Sequence, residues 1–188
     1  MRAGNALGLA AGLLLAAASA SGENILVNPG FETPEAWGFA ATDLESRTGQ
    51  RSAYLCGGIA ISQQFDAIPL DRVVEISFWI KFEQPGQELV GYYSRSVVDA
   101  NGYPVPNATP IYPSPTGRWE FVDATMGPNP DWFLSGITIG HVGYAETCFF
   151  VDDVRVSVAP EPGLGVLLIA GLGVLLRRRR SQGQRAVA

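Results

Sequence analysis

The chain has 188 residues, with 13 Lys and Arg against 18 Asp and Glu and a formal net charge of −5. Positions 21–159 alone hold seven Lys/Arg and seventeen Asp/Glu, a balance of minus ten, and such a surface repels nucleic acid and anionic lipid. A single histidine and two cysteines exclude a repeated Cys/His zinc motif, and about 139 residues between the two apolar ends are enough for one independent core.

In chain order, residues 1–20 open with Arg2, continue with the apolar run Ala6 to Ala18 and close on Ala18-Ser19-Ala20. A charged start, an apolar middle and a small-x-small end form the pattern a signal peptidase cuts, so residues 1–20 are expected to be a removable signal-peptide helix. The next stretch, 21–157, shows no helical period and no repeat. Short β-branched and aromatic runs alternate there with Gly, Pro, Asn and Asp clusters, an all-β pattern. The strongest strand is Val73 to Phe82, in which Val74, Ile76, Phe78, Ile80 and Phe82 share a face that belongs to the core. Other strands are predicted at 52–55, 59–65, 87–94, 118–125, 135–141 and 148–158. Five prolines between Asn101 and Gly117 make that stretch a long connection that cannot enter a sheet interior.

Cys56 and Cys148 both fall in the exported part, where the compartment permits disulfides. A bridge is the simplest reading, with two separate buried thiols as the alternative. Closing a loop of about ninety residues would contribute roughly 4 kcal/mol in the chain-entropy account. His141 reads as a strand-end residue, and no spacing pairs it with either cysteine. The triplet Asn107-Ala108-Thr109 fits a glycosylation sequon but reads as incidental in a bacterial-type chain.

The tail, 158–180, contains Pro160-Glu161-Pro162, the uncharged stretch Gly163 to Leu176, then Arg177, Arg178, Arg179 and Arg180, with 181–188 beyond as a cytoplasmic remnant. Fourteen residues of helix span roughly 21 Å, short of a hydrocarbon layer of roughly 30 Å, so a short transmembrane helix here makes a marginal, transient anchor. The arginine cluster resists translocation and keeps that end inside, placing everything before the span outside. The two prolines leave Glu161 on extended backbone open to a processing enzyme. These parts, in this order, resemble the PEP-CTERM sorting signal. The resemblance implies recognition of Pro160, Glu161 and Pro162 by an exosortase, with brief residence in the inner membrane and delivery to the cell surface or beyond.

The domain carries a second resemblance. Asn24 to Glu32 followed by Trp37, Gly49 to Leu55, Ile61 to Phe65, Gly117 to Val122 and Phe149 to Val156 resemble strands of galactose-binding-like jelly rolls, the fold of many carbohydrate-binding modules. This implies a β-sandwich of two antiparallel sheets. In that fold the first and last strands often share a structural calcium, which implies Glu32 and Asp152 as ligands, Asp153 competing with Asp152, and further carbonyls from the Asn28 region and the loop near Arg51. Trp79 alternates with Glu75, Ser77 and Lys81, all polar, so it points away from the core face and is a candidate stacking platform for sugar unless the proline-rich loop covers it. Of Tyr92 and Tyr93, one must face each way. Core or edge packing is expected for Trp37 and Trp119, and Trp132 lies in a loop.

No Ser-His-Asp signature, phosphate-cradling glycine loop or zinc spacing is present, so no catalytic residue is assigned. The expected function is a non-catalytic exported surface or matrix protein that associates with exopolysaccharide. The alternatives are a structural or adhesion protein with protein contacts only and, more weakly, a hydrolase on the same sandwich.

Overall fold

A computed structural model describes residues 22–33, 36–37, 41–84, 88–114 and 116–160. The signal-peptide helix, Glu161, Pro162, the apolar stretch after them and the arginine cluster lie outside the described residues. Among the described residues no helix is long and apolar enough to cross a membrane.

Among the described residues ten strands and one 3-10 turn, Leu70–Arg72, run in the order β1 (Glu23–Asn24), β2 (Ala41–Thr42), β3 (Ser52–Leu55), β4 (Ala60–Pro69), β5 (Val73–Phe82), β6 (Gly91–Asp99), β7 (Thr109–Ile111), β8 (Glu120–Asp123), β9 (Trp132–His141) and β10 (Phe149–Val158). They form two antiparallel sheets. The first has the order β2-β3-β10-β5-β8, with β1 also on β10, and the second has the order β4-β9-β6-β7. From β4 onward the chain crosses repeatedly between the sheets, with β6 and β7 the one consecutive pair in a single sheet, and the facing sides bury one core.

The alternation of β5 explains that core. Ile76, Phe78, Ile80 and Phe82 are all buried, and each such side chain contributes roughly 1.5–3 kcal/mol relative to exposure. Val74 breaks the pattern: it is 51% exposed while Val73 is buried. The register skips one residue there, with Ser157 opposite Glu75 but Val158 opposite Val73. This bulge turns Val73 inward and corrects the expected core role of Val74.

A second bulge lies in β10, where Asp152 pairs with Trp79 but Arg155 pairs with Ser77. Asp153 takes φ 50°, the left-handed conformation an aspartate tolerates better than most residues. The extra residue keeps Val151 and Val154 both in the core and places two adjacent acids, Asp152 and Asp153, at one bend.

The proline-rich connection stays out of the sheet interior. Its one strand, β7, pairs only with β6, at the sheet edge, with Pro110 opposite Tyr92. Arg95 ties this connection down. It bonds the Oδ1 and carbonyl oxygen of Asn107, and its Nη1 donates to Ala124 O at 3.0 Å. Asn107 donates in return to Arg95 O and Val105 O, so its side chain is committed within the fold. Trp132, expected in a loop, opens β9 instead, because β6 runs on to Asp99 and pairs with it there.

Candidate functional site

The two outer faces of the sandwich differ in chemistry. On the four-stranded sheet the register stacks three outward rows: Ala60, Gly140, Tyr92 and Pro110; then Ser62, Thr138 and Ser94; then Gln64, Gly136 and Ser96. None carries a charge. The central strand β9 contributes glycine at both ends of this ladder, and its neighbours fill the space. A Cβ on Gly140 would stand 2.7 Å from Tyr92 Cζ, and one on Gly136 would stand 2.5 Å from Gln64 Oε1. Tyr92 and Gln64 therefore lie flat across β9, where larger side chains would have lifted them. The result is a low surface of hydroxyls, amide and one aromatic ring.

Tyr93, its neighbour, points the other way. It is buried and meets Phe78 edge-on, with ring centroids 5.4 Å apart. Of the tyrosine pair, only Tyr92 stands on an outer face. Tyr93 is a core residue because its cross-strand partner Ile139 is one.

The outer face of the other sheet is charged and partly roofed. Trp79 stands between Asp152 on β10 and Phe121 on β8. The Trp79 and Phe121 rings meet edge-on at 5.4 Å, and the Arg47 guanidinium lies over the indole, 3.8 Å from its centroid. Trp79 thus shares no surface with Tyr92 or Tyr93. Among the described residues it is Arg47 that lies over it. Beside it is a cleft of about 420 Å³ whose walls include Arg47, Glu75, Ser77, Trp79, Phe121 and Arg155. Its charges are paired: Arg47 with Asp153 at 2.5 Å and Arg155 with Glu75 at 3.3 Å.

Arg47 belongs to a loop that also gathers the predicted metal ligands. Asp152 is fully buried, and its Oδ2 accepts from Arg47 N at 2.8 Å and Thr48 N at 3.2 Å, while Oδ1 accepts from Asp153 N at 2.7 Å. Burial pushes its pKa up, and the neighbouring Asp153 charge adds to that, against the pull of the three donors. Glu32 Oε1 accepts from Gln50 N at 2.9 Å and Arg51 N at 3.2 Å. Gly49, at φ 66°, lets the loop close onto it: a Cβ there would stand 2.0 Å from Glu32 Oε1. One loop therefore addresses both carboxylates.

A hard divalent cation fits this pair in one respect: among the described residues Asp152 is a buried carboxylate with no ion pair, and Gly30 brings no side chain to its Oδ1, from which a Cβ there would stand 3.7 Å. Two expected partners are otherwise engaged. Asp153 is turned to Arg47 and Thr48, and the Asn28 carbonyl accepts from Trp37 Nε1 at 2.9 Å and Phe31 N at 3.1 Å. Trp37 is accordingly a core residue, its ring 5.1 Å from that of Phe31 and tilted against it. Trp119 is half-buried, and its Nε1 makes no hydrogen bond among the described residues.

The cysteines are joined. Cys56 and Cys148, 92 residues apart with Cα atoms 4.8 Å from each other, link the end of β3 to the start of β10. His141 lies beside both of them, a meeting that no sequence spacing displayed. Its ring stacks on Phe149 at 5.9 Å.

No family model matches the sequence, and no curated protein matches it. Among solved structures it is similar to the Family 16 Carbohydrate Binding Module-2, at 18% identity and TM-score 0.53 over 71% of this chain and 99% of that one. It is also similar to the CBM22-1 xylan-binding domain from Paenibacillus barcinonensis Xyn10C, at 16% identity and TM-score 0.45 over 75% and 97%. A third is TmCBM61, solved with β-1,4-galactotriose, at 16% identity and TM-score 0.43 over 72% and 99%. The first likeness extends over nearly the whole of its partner, and this chain has the β-sandwich fold of a carbohydrate-binding module.

Proposed function

We propose that this is an exported, non-catalytic protein whose sandwich associates with a neutral polysaccharide through the outer face of the four-stranded sheet. The observation that carries this reading is the uncharged ladder around Tyr92. Sugar rings present axial C–H groups that pack on an aromatic face and hydroxyls that exchange hydrogen bonds with Ser, Thr and Gln. In a chain with a balance of minus ten over 21–159, three adjoining rows without charge suit an uncharged polymer. The fold shared with a carbohydrate-binding module supports the same reading. Trp79, roofed by Arg47 and set among paired charges, is better placed to hold a loop than to receive a sugar.

Affinity electrophoresis of the 21–159 unit against a panel of neutral and acidic polysaccharides tests this proposal. Retardation by a neutral glycan that disappears in Tyr92→Ala and persists in Trp79→Ala is the expected result. No retardation on any polysaccharide sinks the reading and leaves the protein-contact alternative.

Two parts of the proposal stand on other residues. A structural calcium held by Glu32 and Asp152, with water completing its shell, would brace the two ends of the domain, and it predicts a melting temperature that rises with calcium and falls with chelator. Delivery would follow from signal peptidase cleavage after Ala20 and exosortase recognition of Pro160, Glu161 and Pro162, with Arg177 to Arg180 retained inside. Intact mass of the released protein reads both ends, and a released form still carrying residues 163–180 would refute the sorting step.

A further inference from the structure

The only histidine of the chain lies beside its only two cysteines. The turn after β3 and the loop before β10 bring Cys56, Cys148 and His141 together at one end of the sandwich, with their sulfur and ring-nitrogen ligand atoms all within 4.8 Å of one another. His141 is only 3% exposed and Cys148 is buried, while Cys56 is half-buried. A disulfide needs no imidazole beside it, and burying one is costly unless its nitrogens are met.

The way they are met is informative. Nε2 lies 3.1 Å from Thr147 O, and a carbonyl can only accept, so in the neutral ring Nε2 carries the proton. Nδ1 then keeps its lone pair, answered only by a long bond from Gly58 N at 3.3 Å. One ring nitrogen donating to a backbone carbonyl while the other presents a lone pair is the arrangement of a metal-ligating histidine. The turn that brings Gly58 there requires glycine, since Gly57 and Gly58 take φ 63° and 84°. Tetrahedral zinc, with bonds of about 2.3 Å to sulfur and about 2.0 Å to nitrogen, spaces its ligand atoms roughly 3.5–3.8 Å apart, a spacing open to this cluster once reduction lets the two sulfurs part, with all three ligand atoms already within 4.8 Å.

We propose that the dithiol form of this protein binds one thiophilic cation, Zn²⁺ or Cu⁺, through Cys56 Sγ, Cys148 Sγ and His141 Nδ1. The disulfide and the metal are alternative occupants of the same two sulfurs. Loading moves no electrons: each thiol gives up its proton, two sulfur–metal bonds and one nitrogen–metal bond form, and two protons leave to solvent. Closing the bridge takes an external disulfide. Two electrons pass from the sulfur pair to it, it departs as two thiols with two protons from solvent, and the cation is released. The half-buried side at Cys56 leaves the fourth position open to water.

The test uses the full chain, reduced, freed of reductant without air, and titrated with Co²⁺ as a spectroscopic stand-in for zinc. One equivalent is expected to produce sulfur-to-cobalt charge-transfer absorption together with the visible bands of a tetrahedral site, both bleached by Zn²⁺. The oxidised chain and the Cys56→Ser/Cys148→Ser double variant are expected to stay colourless. His141→Gln is expected to weaken binding at least tenfold and to shift the visible bands. X-ray absorption of the zinc-loaded wild type reads the ligand set directly should that variant misfold, with two sulfurs and at least one imidazole nitrogen expected. A reduced wild type that remains colourless with cobalt, folded or not, overturns the proposal. So does a His141→Gln chain with wild-type spectrum and affinity, or a zinc shell without imidazole.

Discussion

The two outer faces of this sandwich are built from the same kind of strand and do opposite things with their outward positions. On the sheet that contains β10 and β5, the outward residues are Glu75, Ser77, Trp79, Lys81, Asp152 and Arg155, and the loop before β3 folds down to meet them. Arg47 stacks on Trp79 and pairs with Asp153, and Glu45 pairs with Lys81 at 2.7 Å. On the sheet that contains β9 and β6, the three outward rows are uncharged, with Tyr92 and Gln64 laid over glycines. Charge on an outer strand face draws in segments of its own chain, because paired and hydrogen-bonded charges are less costly than exposed ones held close together. A face of serine, glycine and amide keeps its hydrogen-bonding capacity for something outside the molecule.

That contrast can be broken by substitution. The largest effect is expected from Asp152→Ala, which leaves the N–H groups of Arg47, Thr48 and Asp153 without their acceptor. At roughly 1 kcal/mol or more for each orphaned donor, a loss of about 3 kcal/mol in denaturant unfolding is expected, with any calcium-dependent rise in melting temperature gone. A loss below about 1 kcal/mol would mean that the roofed face is not braced through this carboxylate. Next is Gly140→Val, whose first side-chain carbon would collide with the Tyr92 ring. Overpacking of this kind costs about 1–3 kcal/mol, and displacing the ring should abolish retardation by glycan.

Tyr92→Ala sharpens the comparison further. Glycan affinity is expected to fall at least tenfold, about 1.4 kcal/mol, with the unfolding free energy unchanged to within about 1 kcal/mol, while Trp79→Ala reverses the pattern by lowering stability and sparing affinity. If Trp79→Ala removes binding and Tyr92→Ala does not, the roles of the two faces are exchanged. The smallest effect is expected from Arg47→Ala. It removes a cation–π contact and a partly exposed ion pair, together worth about 1 kcal/mol, and high salt should shrink that difference.

Local patterning carried much of the fold. β3 occupies Ser52–Leu55 as its sequence indicates, and the alternation from Ile76 to Phe82 places those residues in the core. The bulges at Val74 and Asp153 were not readable, because a bulge is defined by what lies opposite it, and the partner strand is about eighty residues away. For the same reason the doublet Tyr92-Tyr93 said only that one ring faces outward, and the inward partner Ile139 decided which. Trp79 was correctly turned away from the core, yet its cover came from Arg47, thirty-two residues earlier and invisible to any local period.

Composition and periodicity by themselves determined an acidic all-β domain between two apolar ends, because burial of alternate side chains writes a period of two into any strand with one wet face. Only the tertiary structure decided which polar residues became neighbours. Asp152 lies against the 47–51 loop, Gln64 across Gly136, and His141 beside Cys56 and Cys148. Those meetings depend on sheet order and register, which arise from the packing of all strands together and leave no mark in the spacing of any one of them.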